Sequence, residues 1–103
     1  MDEELLSLGG NIELAGFNEL DSGSLIILKK IIGNYAKKIS KKNEKFEKIK
    51  LVMKTIHERE KSEIYEVKGH LFLGGNPVFA EENDRNLFFA LDKVLKRIDE
   101  QVE

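Results

Sequence analysis

The chain has 103 residues, of which 41% are hydrophobic, and its 17 basic and 19 acidic residues give a net charge of −2. This length suits a single domain with one hydrophobic core, and the apolar content argues against disorder. The chain has no cysteine, which excludes disulfides, thiolate metal ligands and a cysteine nucleophile.

The chain begins with a segment that has no regular period. Residues 1–10 end in two glycines, so we expect a flexible leader ahead of one domain that spans residues 11–103. Ile12, Leu14 and Gly16 then share one face of a two-fold pattern, which predicts a short strand.

A helix is predicted from Ser24 to about Lys42, with Asp or Ser in the stretch 21–24 as its N-cap. At about 100° per residue its apolar side chains form one stripe. The members of that stripe are Leu25, Leu28, Ile32, Tyr35, Ala36 and Ile39. Lys30, Lys37 and Lys41 lie on the opposite side of the helix.

Residues 46–58 and 62–73 are each predicted to form a strand, and a polar turn between them makes an antiparallel hairpin. Gly69 indicates a twist or bulge in the second of these strands. The stretch 74–77, Gly-Gly-Asn-Pro, is a strong turn signal before a short strand at residues 78–82.

Asp84 is the predicted cap of a final helix that ends near Gln101. The element order is therefore β-α-β-β-β-α. We predict an α+β fold with a four-stranded sheet and both helices packed on one face of it.

Charge is strongly clustered along the chain. The stretch from Lys29 to Lys54 holds ten lysines and only two acids, Glu44 and Glu47, for a local charge of +8. Such a cluster favours a polyanionic partner, with nucleic acid first and an anionic membrane surface second. The alternative is a solvated helix whose lysines only maintain solubility.

The location is expected to be cytoplasmic, without a membrane partner. No apolar run approaches the roughly 20 residues that a membrane-spanning helix needs. The first four residues, Met-Asp-Glu-Glu, are acidic, unlike a signal or transit peptide.

The element order and the run from Val78 to Asp84 resemble the ribosome hibernation-promoting factor family, also called ribosome-associated inhibitor or sigma-54 modulation proteins. Members typically end their last strand in alternating alanine and acidic residues. Their next helix reads aromatic, two small residues, an aliphatic and an aspartate. The matching residues here are Phe88, Ala90, Leu91 and Asp92, with Arg97-Ile98 and Gln101-Val102 at the helix end and Ile12 and Gly16 in the first strand.

The resemblance implies a short domain that docks on the small ribosomal subunit and occupies the messenger and transfer RNA channel. It would silence ribosomes under stress, with basic residues on its helices touching ribosomal RNA. The chain departs from the family in its acidic end after Asp99, in Phe89 where a small residue is preferred, and in lacking the dimerising extension of long members.

The candidate RNA-binding residues lie on the two predicted helices. Lysine contacts with phosphates position a protein on RNA without reading its sequence. Phe89 lies among lysines, where its ring would stack on an unpaired base, anchor a protein contact or simply be exposed. The predicted set is Lys30, Lys37, Lys38, Lys41 and Lys42 on the first helix and Phe89, Lys93, Lys96 and Arg97 on the second.

Two other classes of function are weighed against RNA binding. His57 and His70 lie on separate predicted strands. If those strands are neighbours, the two histidines, with Glu58 or Glu66, would bind a metal or act as acid and base. No nucleophile motif or phosphate-binding glycine loop accompanies them, so we predict no catalytic residue, metal or cofactor. The second class is a small protein–protein interaction module, with Val52 and Ile56 on the bare sheet face. The expected state is a monomer or weak homodimer.

Overall fold

The computed structural model of the protein describes the backbone of residues 5–7, 11–18, 20–59 and 62–102, and the side chains of 11–18, 20–56 and 63–102. The described part is an α+β fold, which confirms the predicted class. Its elements, in chain order, are β1 (Leu5–Ser7), β2 (Ile12–Ala15), α1 (Ser22–Lys42), β3 (Phe46–Arg59), β4 (Ser62–Leu73), β5 (Asn76–Asp84) and α2 (Leu87–Gln101).

The sheet follows chain order, β1-β2-β3-β4-β5, and is mixed. β2 and β3 are parallel, from the pair Ile12–Ile49 to the pair Ala15–Val52, and the other neighbours are antiparallel. A parallel pair needs a crossover connection, which α1 supplies. Because of this crossover, α1 lies across the face of the sheet.

The sheet begins earlier than the sequence pattern predicts. The four expected strands are present, and Leu5–Ser7 adds a fifth at the edge, with Leu5 paired to Ala15 and Ser7 paired to Glu13. These three residues lie in the segment expected to be a flexible leader. Three residues are too few to show a two-residue period, and they form a strand only through their pairing with β2. The rest of the expected leader, 1–4 and 8–10, is outside the described residues.

Both helices pack on one face of the sheet. Alternate residues of β3, namely Ile49, Leu51 and Met53, are buried beneath them. The helices contribute fully buried side chains to the same core: Leu28, Ile32 and Ile39 from α1, and Leu91, Val94, Leu95 and Ile98 from α2. The opposite face of the sheet has neither helix on it, and we call it the open face.

The helix caps agree only partly with the sequence pattern. Asp21 caps α1 as expected, because its carboxylate accepts a hydrogen bond of 3.0 Å from the backbone N–H of Ser24. α2 is capped by Asn86, whose side-chain oxygen accepts from the Phe89 N–H at 3.1 Å. The predicted cap, Asp84, is instead the last residue of β5 and is paired to Tyr65. β5 is longer than predicted, so the helix begins later.

Gly69 permits a close approach of α2. The pairing is continuous there, with Gly69 opposite Leu51 on one side and Ala80 on the other, so of the two alternatives, a twist or a bulge, the bulge is absent. A Cβ atom on Gly69 would lie 2.7 Å from methyl carbons of both Val94 and Ile98. The glycine therefore leaves room for the side chains of α2 against the sheet.

The hairpin of β3 and β4 extends past the rest of the sheet. β3 and β4 remain paired as far as Arg59 and Ser62, whereas β2 pairs with β3 only up to Val52 and β5 pairs with β4 only up to Tyr65. The described molecule is accordingly elongated, 45 Å long and 23 Å across.

Candidate nucleic-acid interface

The outer face of α1 presents a line of exposed lysines. Lys30, Lys37 and Lys41 are exposed, as predicted, and none forms an ion pair with another described residue. They span about three turns, or about 16 Å. The amino-terminal part of the same helix is apolar, since Ile26 and Ile27 are 65% and 52% exposed.

Lys38 and Lys42 point toward α2 and bind Asp99. Their ammonium nitrogens lie 3.2 Å and 2.9 Å from the two carboxylate oxygens, and Lys42 also donates to the Asp99 carbonyl oxygen at 2.8 Å. Burial raises the pKa of Asp99, but the hydrogen bonds from Lys42 and Lys38 outweigh it and hold the pKa below its ordinary value. Both lysines are therefore partly neutralised.

The basic residues of α2, like those of α1, include some that form ion pairs and one that does not within the described residues. Lys93 binds Asp84 at 2.9 Å, and Arg97 binds Glu82, with both acids supplied by β5. A hydrogen bond from the Asn86 N–H, followed by one from Lys93, lowers the pKa of Asp84. Lys96 is exposed and has no ion pair within the described part of the chain.

Phe89 lies on the outer face of α2 and is 61% exposed, in agreement with the sequence pattern. Its neighbour Phe88 is half-buried and packs against the core. The two consecutive rings therefore have different roles in the fold, since only Phe89 presents its ring to solvent.

α1 and α2 pack side by side and run in the same direction. The Tyr35 hydroxyl donates to Asp92 at 3.3 Å, and seven residues further along each helix Lys42 meets Asp99. Residues before both helix starts, among them Leu20 and Asn86, line one shallow depression at the opposite end. The outer faces of the helices thus form one continuous surface, which we call the helix face.

The structure brings the predicted RNA-binding residues onto this one surface, but only some of its cations are paired with an acid. Lys30, Lys37, Lys41 and Lys96 have no acidic partner in the described part of the chain. Lys38, Lys42, Lys93 and Arg97 each have one. The sequence pattern includes the second group in the predicted set but does not reveal its ion pairs, because the acids come from distant segments, α2 and β5.

The lysine-rich segment places side chains on both faces of the molecule. Lys48, Lys50 and Lys54 lie on β3 and point to the open face, away from the helices. Lys48 lies 3.3 Å from Glu13 and 5.3 Å from the ring centre of Phe72. The spacing of two residues between Lys48 and Lys50 was the signal that separates the strand lysines from the helical set.

The two histidines lie on neighbouring strands, as expected, but far apart along the hairpin. His57 is paired with Glu63, and His70 with Lys50. Seven positions along the hairpin separate the two pairs, about 23 Å at the rise of a strand. Within the described residues no group of three His, Cys, Asp or Glu side chains is placed to hold a metal.

The fold and the surface define a small α+β protein with a basic two-helix face. No family model matches the chain, and no curated protein matches it. Among solved structures, its fold is similar to a ribosomal subunit interface protein from Coxiella burnetii, with a TM-score of 0.48 and 12% identity over 70% of this chain and 78% of that one. A likeness this weak carries no functional argument. None of the described helices is both long and apolar enough to cross a membrane.

Proposed function

We propose that this protein is a cytoplasmic ribosome-associated factor that docks on the small ribosomal subunit through RNA phosphates. Docking there would inhibit translation under stress. The observation that carries the proposal is the line of Lys30, Lys37 and Lys41, which are exposed and free of acidic partners within the described residues. No catalytic step is part of the proposal.

Ammonium groups arranged in this way bind a polyanion by neutralising phosphates and releasing the counterions around them. Lysines hold phosphates as point charges and carry no base recognition, so they position the protein on RNA without selecting a sequence. Lys96 extends the charged line onto α2. Phe89 adds an exposed ring on that helix, suited to stacking on an unpaired base.

The choice of the small subunit among RNA targets comes from the sequence. The stretch from Val78 to Asp92 resembles hibernation-promoting factors, and the element order predicted from the sequence agrees with the observed order after β1. The paired residues Lys38, Lys42, Lys93 and Arg97 lie on the same two helices, so they add weaker electrostatic attraction to the same surface.

Co-sedimentation with purified small subunits across a salt series tests the proposal. We expect binding at low salt, with an affinity that falls steeply as salt rises and a slope near one unit for each phosphate contact. Large subunits provide the matched ribosomal control. Absence of binding to small subunits even at low salt would contradict the proposal.

Inhibition is tested separately, by adding the protein to a cell-free translation reaction. We expect translation to fall over the same concentration range in which the protein binds small subunits. Binding without any effect on translation would retain the docking proposal and reject the inhibitory part of it.

A protein–protein interaction module is the second candidate, and the exposed apolar side chains favour it. Ile26, Ile27 and Phe89 are the most exposed large apolar side chains on the helix face. Val52 and Ile56 are half-buried on the open face, where a second copy of the chain would pack. Sedimentation velocity at several protein concentrations distinguishes a monomer from such a homodimer.

A further inference from the structure

The open face of the sheet carries an aromatic and basic cluster that the proposed docking does not use. Three adjacent strands contribute to it, and pairing places its members side by side. Lys48 is opposite Phe72, Lys50 is opposite His70, and His70 is opposite Phe79. We call these five residues the sheet-face cluster.

The aromatic side chains of this cluster are held in place and accessible. The rings of His70 and Phe79 are 4.9 Å apart between centres and tilted by 54°. The Lys48 ammonium lies 5.3 Å from the centre of the Phe72 ring, within the range of a cation–π contact. Phe79 is 48% exposed although it lies on an ordered strand.

Lysines outnumber acids around these rings by three to two: Lys48, Lys50 and Lys68 share the face with Glu13, which is opposite Lys50 in the pairing, and with Glu81. Glu13 is the nearest acid on β2, and Lys48 binds it at 3.3 Å. Lys50, next to His70, has no ion pair within the described residues. Glu81 follows Phe79 on the same face of β5, but it is opposite Lys68 in the pairing.

From this arrangement we infer that the sheet-face cluster binds unpaired bases of single-stranded RNA. Phe79, backed by His70, supplies a flat apolar surface on which a base stacks, and Lys50 supplies the charge that holds the adjoining phosphate. Such stacking is largely independent of base identity. The choice of RNA over DNA rests on the proposed function, whereas the stacking surface does not.

Fluorescence anisotropy with a labelled single-stranded RNA of about ten nucleotides tests this site. The background is the full chain carrying Lys30→Gln, Lys37→Gln and Lys41→Gln, which removes the three exposed lysines of α1 that have no ion pair within the described residues. In that background Phe79→Ala should lower affinity by about fivefold to 150-fold. Phe79→Tyr should retain affinity, and Phe79→Leu should lose it, since leucine keeps the apolar volume but not the flat ring.

Ile26→Ala is the matched control, since Ile26 is also an exposed apolar residue but lies on the other face of the molecule. It should leave affinity for the RNA unchanged. Circular dichroism of each variant separates loss of binding from loss of fold.

A second measurement reports contact at the site directly. The chain contains no tryptophan, so Phe79→Trp introduces a single tryptophan as a fluorescent reporter. Its emission should be quenched by the single strand and much less by a duplex of the same sequence, whose bases are already stacked. Ile26→Trp should show no such difference.

Equal RNA affinities of the background protein and its Phe79→Ala variant would overturn the inference. So would quenching of the Ile26→Trp protein alone. A homodimer that dissociates on Phe79→Ala would assign the face to a second copy of the chain and also overturn it. Failure of the protein to bind small subunits would not overturn the inference. The oligonucleotide assay does not depend on that docking, because its background protein lacks Lys30, Lys37 and Lys41.

Discussion

Lys42 joins α1 to α2 through Asp99, with its ammonium 2.9 Å from the carboxylate and 2.8 Å from the backbone carbonyl oxygen of that residue. Lys38 lies 3.2 Å from the other carboxylate oxygen, and the Asp99 side chain is only 11% exposed. One nearly buried carboxylate thus holds two lysines that the charge pattern assigns to RNA. Stability and binding are coupled at this position.

The stability of the protein should depend on pH through Asp99. Its pKa in the folded protein is below the ordinary value of 3.8, so the unfolded chain takes up the proton first as pH falls. The contribution of the ion pair is therefore complete above that ordinary value and is lost as pH falls through the folded-state pKa. Asp99→Asn should cost about 1–3 kcal/mol near neutral pH. Urea denaturation between neutral pH and about pH 3 should show this difference shrinking. A constant difference would contradict the assignment.

The same substitution should strengthen binding to the small subunit. Asp99→Asn removes the carboxylate from Lys38 and Lys42, so both ammonium groups become available to phosphates. The salt slope should steepen by up to about two units, near one for each new contact. Co-sedimentation across a salt series measures it. Asp92→Asn is the control, because Asp92 binds Tyr35, and an equal gain in that variant would indicate only a general charge effect.

Removal of the free lysines should have the opposite effect. Lys30→Gln, Lys37→Gln and Lys41→Gln together should weaken subunit binding by several-fold to a few hundred-fold at moderate salt and make the salt slope shallower by up to about three units. The fold should survive, because all three side chains are exposed. Lys54→Gln with Lys68→Gln, on the open face, is the comparison variant. An equal loss of binding in that variant would contradict docking through the helix face.

Phe89→Ala tests the exposed ring of α2. If Phe89 stacks on an unpaired ribosomal base, the substitution should cost about 1–3 kcal/mol of binding free energy. The free energy of unfolding should change little, since the ring is 61% exposed. Ile27→Ala, at a comparable exposure on α1, should leave binding unchanged. Equal affinities of wild type and Phe89→Ala would show that the ring is exposed but makes no contact with the RNA.

Two glycines should respond to alanine in opposite directions. Gly69→Ala places a methyl 2.7 Å from carbons of Val94 and Ile98, and overpacking of this kind costs about 1–3 kcal/mol. A methyl group on Gly33 would meet no described atom beyond the backbone of its own helix within 4 Å, so Gly33→Ala should stabilise the helix by about 0.5–1 kcal/mol. Urea denaturation of both variants measures these changes, and destabilisation by Gly33→Ala would contradict the open surroundings of that residue.

The fold was largely predictable because its longer elements have clear periods. The apolar stripe of α1 and the alternation along β4 identify both elements and their buried faces. β1 escaped prediction because three residues show no period and its order depends on pairing with β2. The cap of α2 was misplaced because Asp84 and Asn86 are both good capping residues, and only the pairing of Asp84 with Tyr65 decides between them.

The position of the helix face was predictable from the sequence, but the ion pairs of its cations were not. Helical spacing places Lys30, Lys37 and Lys41 on one outer stripe, where the structure has them. The partners of the remaining cations are distant in sequence, as Asp99 is from Lys42 and Glu82 is from Arg97. The sheet-face cluster likewise depends on strand register, which brings His70 opposite Phe79 and which periodicity within one strand does not supply.

The parallel packing of the two helices has an electrostatic consequence. Each helix dipole places about half a negative charge at its C-terminal end, and two aligned dipoles bring those ends together. Lys42 lies in the last turn of α1 and donates to the carbonyl of Asp99 near the end of α2, which has no basic residue in its own last turn. The cation that stabilises the C-terminal end of α2 is therefore supplied by α1, and an isolated α2 peptide would lack it.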